Sequence, residues 1–308
     1  MQGAAERPRA FAAFALPTLA WLVVFFAVPL GIVFLYSVGE NVSLTEIRTT
    51  WTVDNYARLL EPELLTLALR SLRVAGVATL VCLVVGLPVA MLIATAPARA
   101  KPWLLLAIML PFWTNLLIRT YALLNILGTR GRVNQLLGFL HEKAHASLEL
   151  VGLGGLALLD ERFTPLRLLG TETGVVYGVV YVSLPFAILP LYSTLERMDR
   201  SLLEASLDLG AGQWTTFRRV LLPLAAPGVA TATIITFVPA LGQFLIPDLL
   251  GRGQTDMIAN VIERQFKSAN DWPFGSALSL VLLYATFALL AMRAFADARR
   301  ARAHGARR

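Results

Sequence analysis

Six uninterrupted apolar runs dominate the chain, at about residues 11–38, 66–96, 102–127, 174–195, 224–250 and 273–295. A helix needs about 20 apolar residues to cross the hydrocarbon core of a bilayer, and each run supplies that length. Hydrophobic residues make up 56% of the sequence and charged residues only 15%, so a water-soluble fold would lack the polar surface to cover these runs. The expected fold is all-α: a polytopic membrane protein of about six transmembrane helices, forming a single transmembrane domain over residues 1–308.

The first run follows Arg7 and Arg9 and begins like a secretory signal. A signal core covers only about 7–15 residues, however, and no small-residue cleavage site follows at a sensible distance. It therefore reads as a retained first span. Pro29, Pro88, Pro111, Pro185 and Pro239 fall inside runs and are expected to kink or break their helices. In a membrane such breaks persist where neighbouring helices or a polar cavity satisfy the freed backbone groups. Cys82, the only cysteine, excludes an internal disulfide and a cysteine metal cluster and reads as a small packing residue.

The formal net charge of +7 would suit a nucleic-acid binder, but the arginines are scattered, and several stand beside apolar runs. That is the pattern of membrane orientation, and no nucleic-acid partner is expected. One side would hold Arg7 and Arg9, the Arg99–Lys101 link, the Arg197–Arg219 segment and the tail from Arg299 to Arg308. The other holds longer acid-rich loops, with Glu40, Glu46, Asp54, Glu61, Glu142, Asp160 and Asp271 among them. The arginine-dense side should be cytoplasmic, which puts both termini inside and fits an even number of spans. Lysine occurs only at Lys101, Lys143 and Lys267. None belongs to a Gly-x-x-x-x-Gly-Lys-Ser/Thr phosphate loop, so any ATP used must be hydrolysed by a partner.

The cytoplasmic segment 196–223 carries the most information. Ser201 and Glu204 have the spacing of a capping box, so a short helix should begin at Ser201. Leu202, Leu203 and Leu207 line one side of it, and Gly210 suits the left-handed position that ends a helix. Trp214, Phe217 and Leu221 then share a face of a second helix. Pro223 is expected to halt that helix, with Pro227-Gly228 resetting the chain before the next span. Two amphipathic helices in an elbow expose apolar residues that fit a groove on another protein. The pattern alone fits an interfacial helix lying on the membrane equally well.

Glu204-Ala205-Ser206-Leu207-Asp208-Leu209-Gly210-Ala211, with Phe217, Leu222-Pro223 and Pro227-Gly228, closely resembles the EAA loop of ABC importer permeases. Ser206 stands where that pattern usually has its second alanine. The resemblance implies that Glu204, Ala205, Ser206, Asp208, Gly210, Ala211, Phe217 and Pro223 form the coupling helix that sits in a cleft of the ATPase subunit. Further blocks resemble the polyamine branch of that family, above all the PotB-type first permease of spermidine/putrescine importers. They are Asp54-Asn55-Tyr56-Ala57-Arg58-Leu59-Leu60, the stretch Pro111 to Tyr121, Leu184-Pro185-Phe186, Leu189-Pro190-Leu191-Tyr192-Ser193 and Asp271-Trp272-Pro273-Phe274-Gly275. This likeness implies a type I importer permease fold in the bacterial inner membrane, with no catalytic residues and no directly bound cofactor. ATP and Mg would sit on the partner ATPase. A second, different permease and a periplasmic substrate-binding protein would complete the assembly. Relatives in the branch serve other small solutes, so a non-polyamine cargo is the alternative.

Candidates for the translocation path are Asn115, Arg119, Gln243 and Asp248. Asn115 and Arg119 are one turn apart in the third run and would share a face. Arg119 either faces the bundle, paired with an acid such as Asp248, or snorkels to the headgroups. Gln243 and Asp248 either offer acceptors to ammonium groups or simply form a polar helix end. The amphipathic stretch Ile258–Phe266 either rests on the membrane or helps to receive the binding protein.

His141-Glu142-Lys143-Ala144-His145 spells the His-Glu-x-x-His of zinc proteases, in which both imidazoles bind zinc and the glutamate acts as base. With the apolar stretch Leu148–Leu159 and Asp248 downstream, it raises an intramembrane metalloprotease as a rival. Against that reading, the motif falls in the outer loop 128–173, and the stretch after it holds Glu149 and three glycines. Residues 141–165 also look like an insertion relative to the permease family. Adventitious surface histidines are the simpler reading, and no metal is expected. A passive channel is the third possibility, but it has no use for an ATPase-docking elbow.

Overall fold

The computed structural model describes residues 8–43, 46–150 and 163–305. In chain order the elements are α1 (Pro8–Leu22), α2 (Val28–Ser37), β1 (Gly39–Asn41), β2 (Ile47–Thr49), α3 (Asp54–Arg58), α4 (Pro62–Thr95), α5 (Lys101–Met109), α6 (Leu116–Leu127) and α7 (Arg132–Leu150), followed by α8 (Glu172–Glu196), α9 (Ser201–Asp208), α10 (Gln213–Thr216), α11 (Leu222–Leu241), α12 (Leu245–Gly251), α13 (Ile258–Lys267) and α14 (Trp272–Gly305). Among the described residues five stretches are long and apolar enough to cross a membrane: Ala15–Ser37, Pro62–Thr95, Glu172–Glu196, Gln213–Leu241 and Trp272–Arg293. A sixth is formed if the bent pair Lys101–Trp113 and Leu116–His145 counts as one span.

The prolines act in different ways. Pro88 and Pro185 stay within continuous helices. Ahead of Pro29, the turn Val23–Ala27 widens to π geometry and joins α1 to α2 without a break; a wider turn absorbs the hydrogen bond that proline cannot donate. The third run differs from the single helix expected. Pro111 lies in a 3-10 turn, Leu110–Trp113, beyond which the chain extends through Thr114 and Asn115. The two arms meet at 92°. The fifth run also stops early, because α11 ends at Leu241 and the chain restarts as α12. Gly242, a poor helix former, stands at the stop. The stretch expected as a loop over 128–173 contains α7, while residues 151–162 fall outside the description, and with them most of the apolar stretch after the histidines.

The chain separates into two compact units, Met1–Leu65 with Val261–Arg308, and Thr66–Asn260. In the second, α4, α8 and α11 pack through small residues: Ala75, Ala78, Ala90, Ala187, Ala225 and Ala232 are buried. Lipid tails are as apolar as leucine, so close approach of backbones is what favours helix contact in a bilayer. Gly228 shows the fit, since a β-carbon there would meet the Thr194 side chain and, at 3.1 Å, the Pro190 carbonyl. Three hydroxyls of α11 are satisfied within their own helix: Thr231, Thr233 and Thr236 donate to the carbonyls of Pro227, Val229 and Ala232, which removes the cost of a bare polar group in hydrocarbon.

In the first unit α14 packs against α2 and α3. The β1–β2 hairpin pairs Gly39 with Thr49, Glu40 with Arg48 and Asn41 with Ile47. Asn55 holds the end of α2 in place, donating to the Ser37 carbonyl at 3.0 Å and the Gly39 carbonyl at 2.8 Å. Tyr56 Oη and Ser37 Oγ share a hydrogen bond of 2.7 Å. Arg58 donates to Asp271 at 2.9 Å and lies 3.8 Å over the Phe274 ring.

Candidate coupling elbow and path residues

The elbow begins where α8 ends. Lys101 Nζ donates to both oxygens of Glu196, at 2.7 and 2.8 Å, setting a cation against an acid that the negative end of a helix disfavours. Asp199 Oδ1 then accepts from the Ser201 backbone N–H at 3.0 Å. The expected capping box is therefore not formed. Ser201 is already helical, and Asp199, two residues earlier, supplies the acceptor. Its carboxyl titrates below the usual aspartate range because the Ser201 backbone N–H, and then the Ser201 side chain, hydrogen-bond to the charged form. Arg200 reaches back to the Ala94 carbonyl in the last turn of α4, satisfying one of the acceptors a helix end leaves open.

α9 terminates as Gly210 suggested. Gly210 has φ +81°, its N–H donates to the Leu207 carbonyl at 2.9 Å, and the Ala211 N–H donates to the Ser206 carbonyl at 3.1 Å. This pair of bonds is the Schellman closure, and its left-handed residue is favoured as glycine. After the bend, Ser206 Oγ meets the Thr216 hydroxyl at 3.0 Å, linking the two limbs. Trp214 and Phe217 stack with centroids 5.4 Å apart. Leu202, Leu207, Leu209 and Trp214 remain exposed, Leu209 by 89% and Trp214 by 71%. A groove of about 220 Å³ behind α9 is lined by Met91, Ala94, Leu195, Leu203, Glu204 and Leu207.

Pro223 does not halt the second limb. The π turn Phe217–Leu221 runs straight into α11, and Gln213–Leu241 is a continuous helical stretch of 29 residues. The Leu222 N–H bonds to the Phe217 carbonyl, five residues back, and the wider turn accommodates Pro223 as Val23–Ala27 does Pro29. Of the residues around the elbow, the sequence reading missed Asp199, Arg200 and Thr216. Asp199 was legible as an acid just ahead of a helix, but the nearer capping box obscured it. The partners of Arg200 and Thr216 depend on the tertiary bend.

The structure places the path candidates in α6, in α12 and in the breaks ahead of them. Asn115 is an N-cap, its Oδ1 accepting from the Leu117 N–H at 2.8 Å, so it sits at the break and not on a shared face of an unbroken helix. Arg119 is only 9% exposed, which places it inside its unit instead of reaching for headgroups. Its guanidinium lies 5.3 Å from the Phe112 ring, which meets Phe186 edge-on at 4.9 Å, and its Nε has no hydrogen-bond partner. Among the described residues no ion pair joins it to Asp248. Asp248 instead lies in the first turn of α12, and Gln243 in the break before it. His141 and His145 stand one turn apart on α7 with ring centroids 6.4 Å apart, and among the described residues no third histidine, cysteine or carboxylate joins them to form a metal-holding group.

Several helices long and apolar enough to cross a membrane, packed through small residues and carrying a structured apolar elbow, define a polytopic membrane protein. The chain belongs to the binding-protein-dependent transport system inner membrane component family, whose model matches residues 7–300. It is 39% identical over 264 residues to the spermidine/putrescine transport system permease protein PotB of Salmonella typhimurium, covering 86% of this chain and 85% of that one. Among solved structures, a bacterial ABC transporter that imports the acidic polysaccharide alginate matches with a TM-score of 0.66 at 16% identity, over 94% of this chain and 95% of that chain. The alginate transporter bound to a pentasaccharide-loaded periplasmic protein matches with a TM-score of 0.64, also at 16% identity, over 92% of each chain.

Proposed function

We propose that this chain is the translocating subunit of an ATP-driven importer of polyamines, the spermidine and putrescine class. In this reading an ATPase subunit hydrolyses ATP with its Mg and docks on the elbow. A second permease completes the path, and a periplasmic binding protein delivers the cargo. Both termini lie in the cytoplasm of a bacterial cell.

The single observation that carries the reading is the elbow itself, with exposed Leu209 and Trp214 and a continuous helical limb behind them. The 29 residues of Gln213–Leu241 rise about 40 Å at 1.5 Å per residue, enough to carry a displacement at the elbow across the bilayer. Glu204 and Gly210 set the charge and the bend of the docking end, and Ala205, Ser206, Asp208, Ala211, Phe217 and Pro223 shape it. Closure of two ATPase subunits would swing this lever and open the path toward a loaded binding protein. Asn115, Arg119, Gln243 and Asp248 remain candidates for the path walls. The family to which the chain belongs and the spermidine/putrescine name of its 39% identical relative support a polyamine cargo.

The test is uptake by proteoliposomes holding the full complex, with a panel of labelled solutes. ATP-dependent accumulation of spermidine or putrescine, lost in Glu204→Lys and Gly210→Val, is expected. Uptake of another small solute with no polyamine transport assigns the alternative cargo, and wild-type uptake by both variants removes the elbow from coupling.

A further inference from the structure

One side of α8 is packed and the other is open. Val175, Val179, Ala187, Ile188 and Leu191 are buried, and a β-carbon at Gly178 would run into Ile246 and Leu250 of α12. On the open side every exposed residue of the helix carries a polar group: Thr173, Tyr177, Tyr181, Ser193 and Glu196. In α4 the exposed residues from Val77 to Leu92 are the opposite, namely Val77, Leu80, Val84, Val85, Pro88 and Leu92, an aliphatic face suited to lipid tails. Thr173, Tyr177 and Tyr181 follow one another four residues apart and form one stripe, with Tyr177 49% and Tyr181 37% exposed.

The depth of this stripe excludes the usual place for a membrane tyrosine. The 25 residues of α8 rise about 37 Å, and Tyr181 stands about 4–5 Å along the axis from the middle residue, Leu184. That is far below the headgroup level at which tyrosines gather. A threonine at such depth satisfies its hydroxyl on its own helix, as Thr194 does on the Pro190 carbonyl at 2.9 Å. A tyrosine hydroxyl, held away by its ring, does not reach back to its own backbone, and among the described residues neither Tyr177 nor Tyr181 meets a hydrogen-bond partner. Turned to lipid, each would be a bare polar group in hydrocarbon, which is costly. The stripe therefore needs polar surroundings, and in an importer permease the path supplies them.

Tyrosine presents a cation with a ring face of negative potential and a phenol oxygen that accepts a hydrogen bond. Both are neutral. A row of carboxylates would hold a cargo with several ammonium groups too firmly, whereas conduction needs sites that favour entry and still permit exit. The two tyrosines are separated by about 6 Å along the axis, close to the reach of a tetramethylene chain between two ammonium groups. We infer that Tyr177 and Tyr181 form the cation-selecting wall of the translocation path. The inference rests on the polyamine importer reading above and adds to it the residues that meet the cargo and the chemistry by which they select it. With the elbow in the cytoplasm, the stripe lies in the outer half of the span, ahead of the midpoint for an incoming cargo.

The experiment uses the complete complex in proteoliposomes with its own loaded binding protein, and reads labelled spermidine and putrescine taken up per ATP hydrolysed. Tyr177→Leu with Tyr181→Leu should lower that ratio by about tenfold. Tyr177→Phe with Tyr181→Phe, which keeps the rings and loses the oxygens, should fall between that variant and wild type. Replacing Tyr181 by phenylalanines with successively more ring fluorines should lower uptake step by step, because fluorine drains the negative ring face and barely alters its shape. Co-elution of the ATPase subunit and the second permease verifies assembly. Wild-type uptake per ATP in the assembled double leucine variant, or no trend along the fluorine series, overturns the inference and leaves the importer reading intact. Loss of the second permease from the double leucine variant, with no trend along the series, overturns it as well and assigns the stripe to the contact between permeases. If wild type takes up no polyamine, the polyamine reading fails and this inference with it, a result distinct from the others.

Discussion

Ser206 Oγ lies 3.0 Å from Thr216 Oγ1 across the bend of the elbow, and Thr216 is buried at 7% exposure. The residue that departs from the alanine of the EAA pattern is thus the one that links the two limbs. Removing one partner leaves the buried Thr216 hydroxyl without its cross-bend bond, at a cost of about 1–2 kcal/mol. Ser206→Ala should therefore loosen the elbow, and Ser206→Ala with Thr216→Val should recover most of the loss, because neither polar group then remains. Amide exchange over residues 206–216, with ATPase-subunit affinity as the second readout, measures both steps.

The bend itself depends on Gly210 at φ +81°. A β-carbon there meets nothing within 4 Å, so the penalty for substitution is conformational and not steric. Asn, which tolerates the left-handed region, should come close to wild type. Ala should cost about 1 kcal/mol, and the β-branched Val more. Uptake in proteoliposomes should rank Gly, Asn, Ala, Val in that order; equal loss for Asn and Val would mean that a contact, not the backbone, controls the position.

In the first unit Asp271 serves two purposes. It accepts from Arg58 at 2.9 Å and, through its other oxygen, from the Phe274 N–H at 3.2 Å at the start of α14. Asp271→Asn keeps a cap but loses the ion pair, while Asp271→Ala loses both. The half-exposed pair is worth about 0–1 kcal/mol and the cap about 1 kcal/mol, so Ala should lower the Tm of the purified protein clearly more than Asn. Identical shifts would show that the cap contributes nothing.

Asp199 gives the elbow a pH dependence of known sign. Its folded pKa lies below the ordinary aspartate value, so its contribution is fully present above the unfolded pKa and is lost as pH falls through the folded one. Protection of the α9 amides should be flat from pH 8 to about pH 5 and decline only in the acid range where aspartate titrates. Asp199→Asn, a good cap without the titration, should remove that acid decline, and Asp199→Ala should weaken protection at every pH.

Much of this architecture was readable because apolar length and glycine chemistry are local signals. The runs marked helices, and Gly210 ended α9 for the reason its backbone freedom suggests. What misled was proline. Pro111 and Pro239 stand near real breaks, whereas Pro88, Pro185 and Pro223 sit in helices that continue, and a π turn that no residue pattern announces decides the outcome at Pro223. The expected Arg119–Asp248 pair failed because it required α6 and α12 to present those two side chains to each other, which is a property of packing. The blocks around Arg58 and Asp271 were visible as motifs, but only the fold shows that they hold one another.

The central claim is that the elbow faces the cytoplasm and is covered by an ATPase subunit. Leu209→Cys tests it most directly, since Leu209 is 89% exposed and the native Cys82 is buried and should contribute little background. A membrane-impermeant maleimide should label Cys at 209 in inside-out vesicles only, and the assembled ATPase subunit should block the label. Labelling from the outer side, or labelling indifferent to that subunit, would contradict the account.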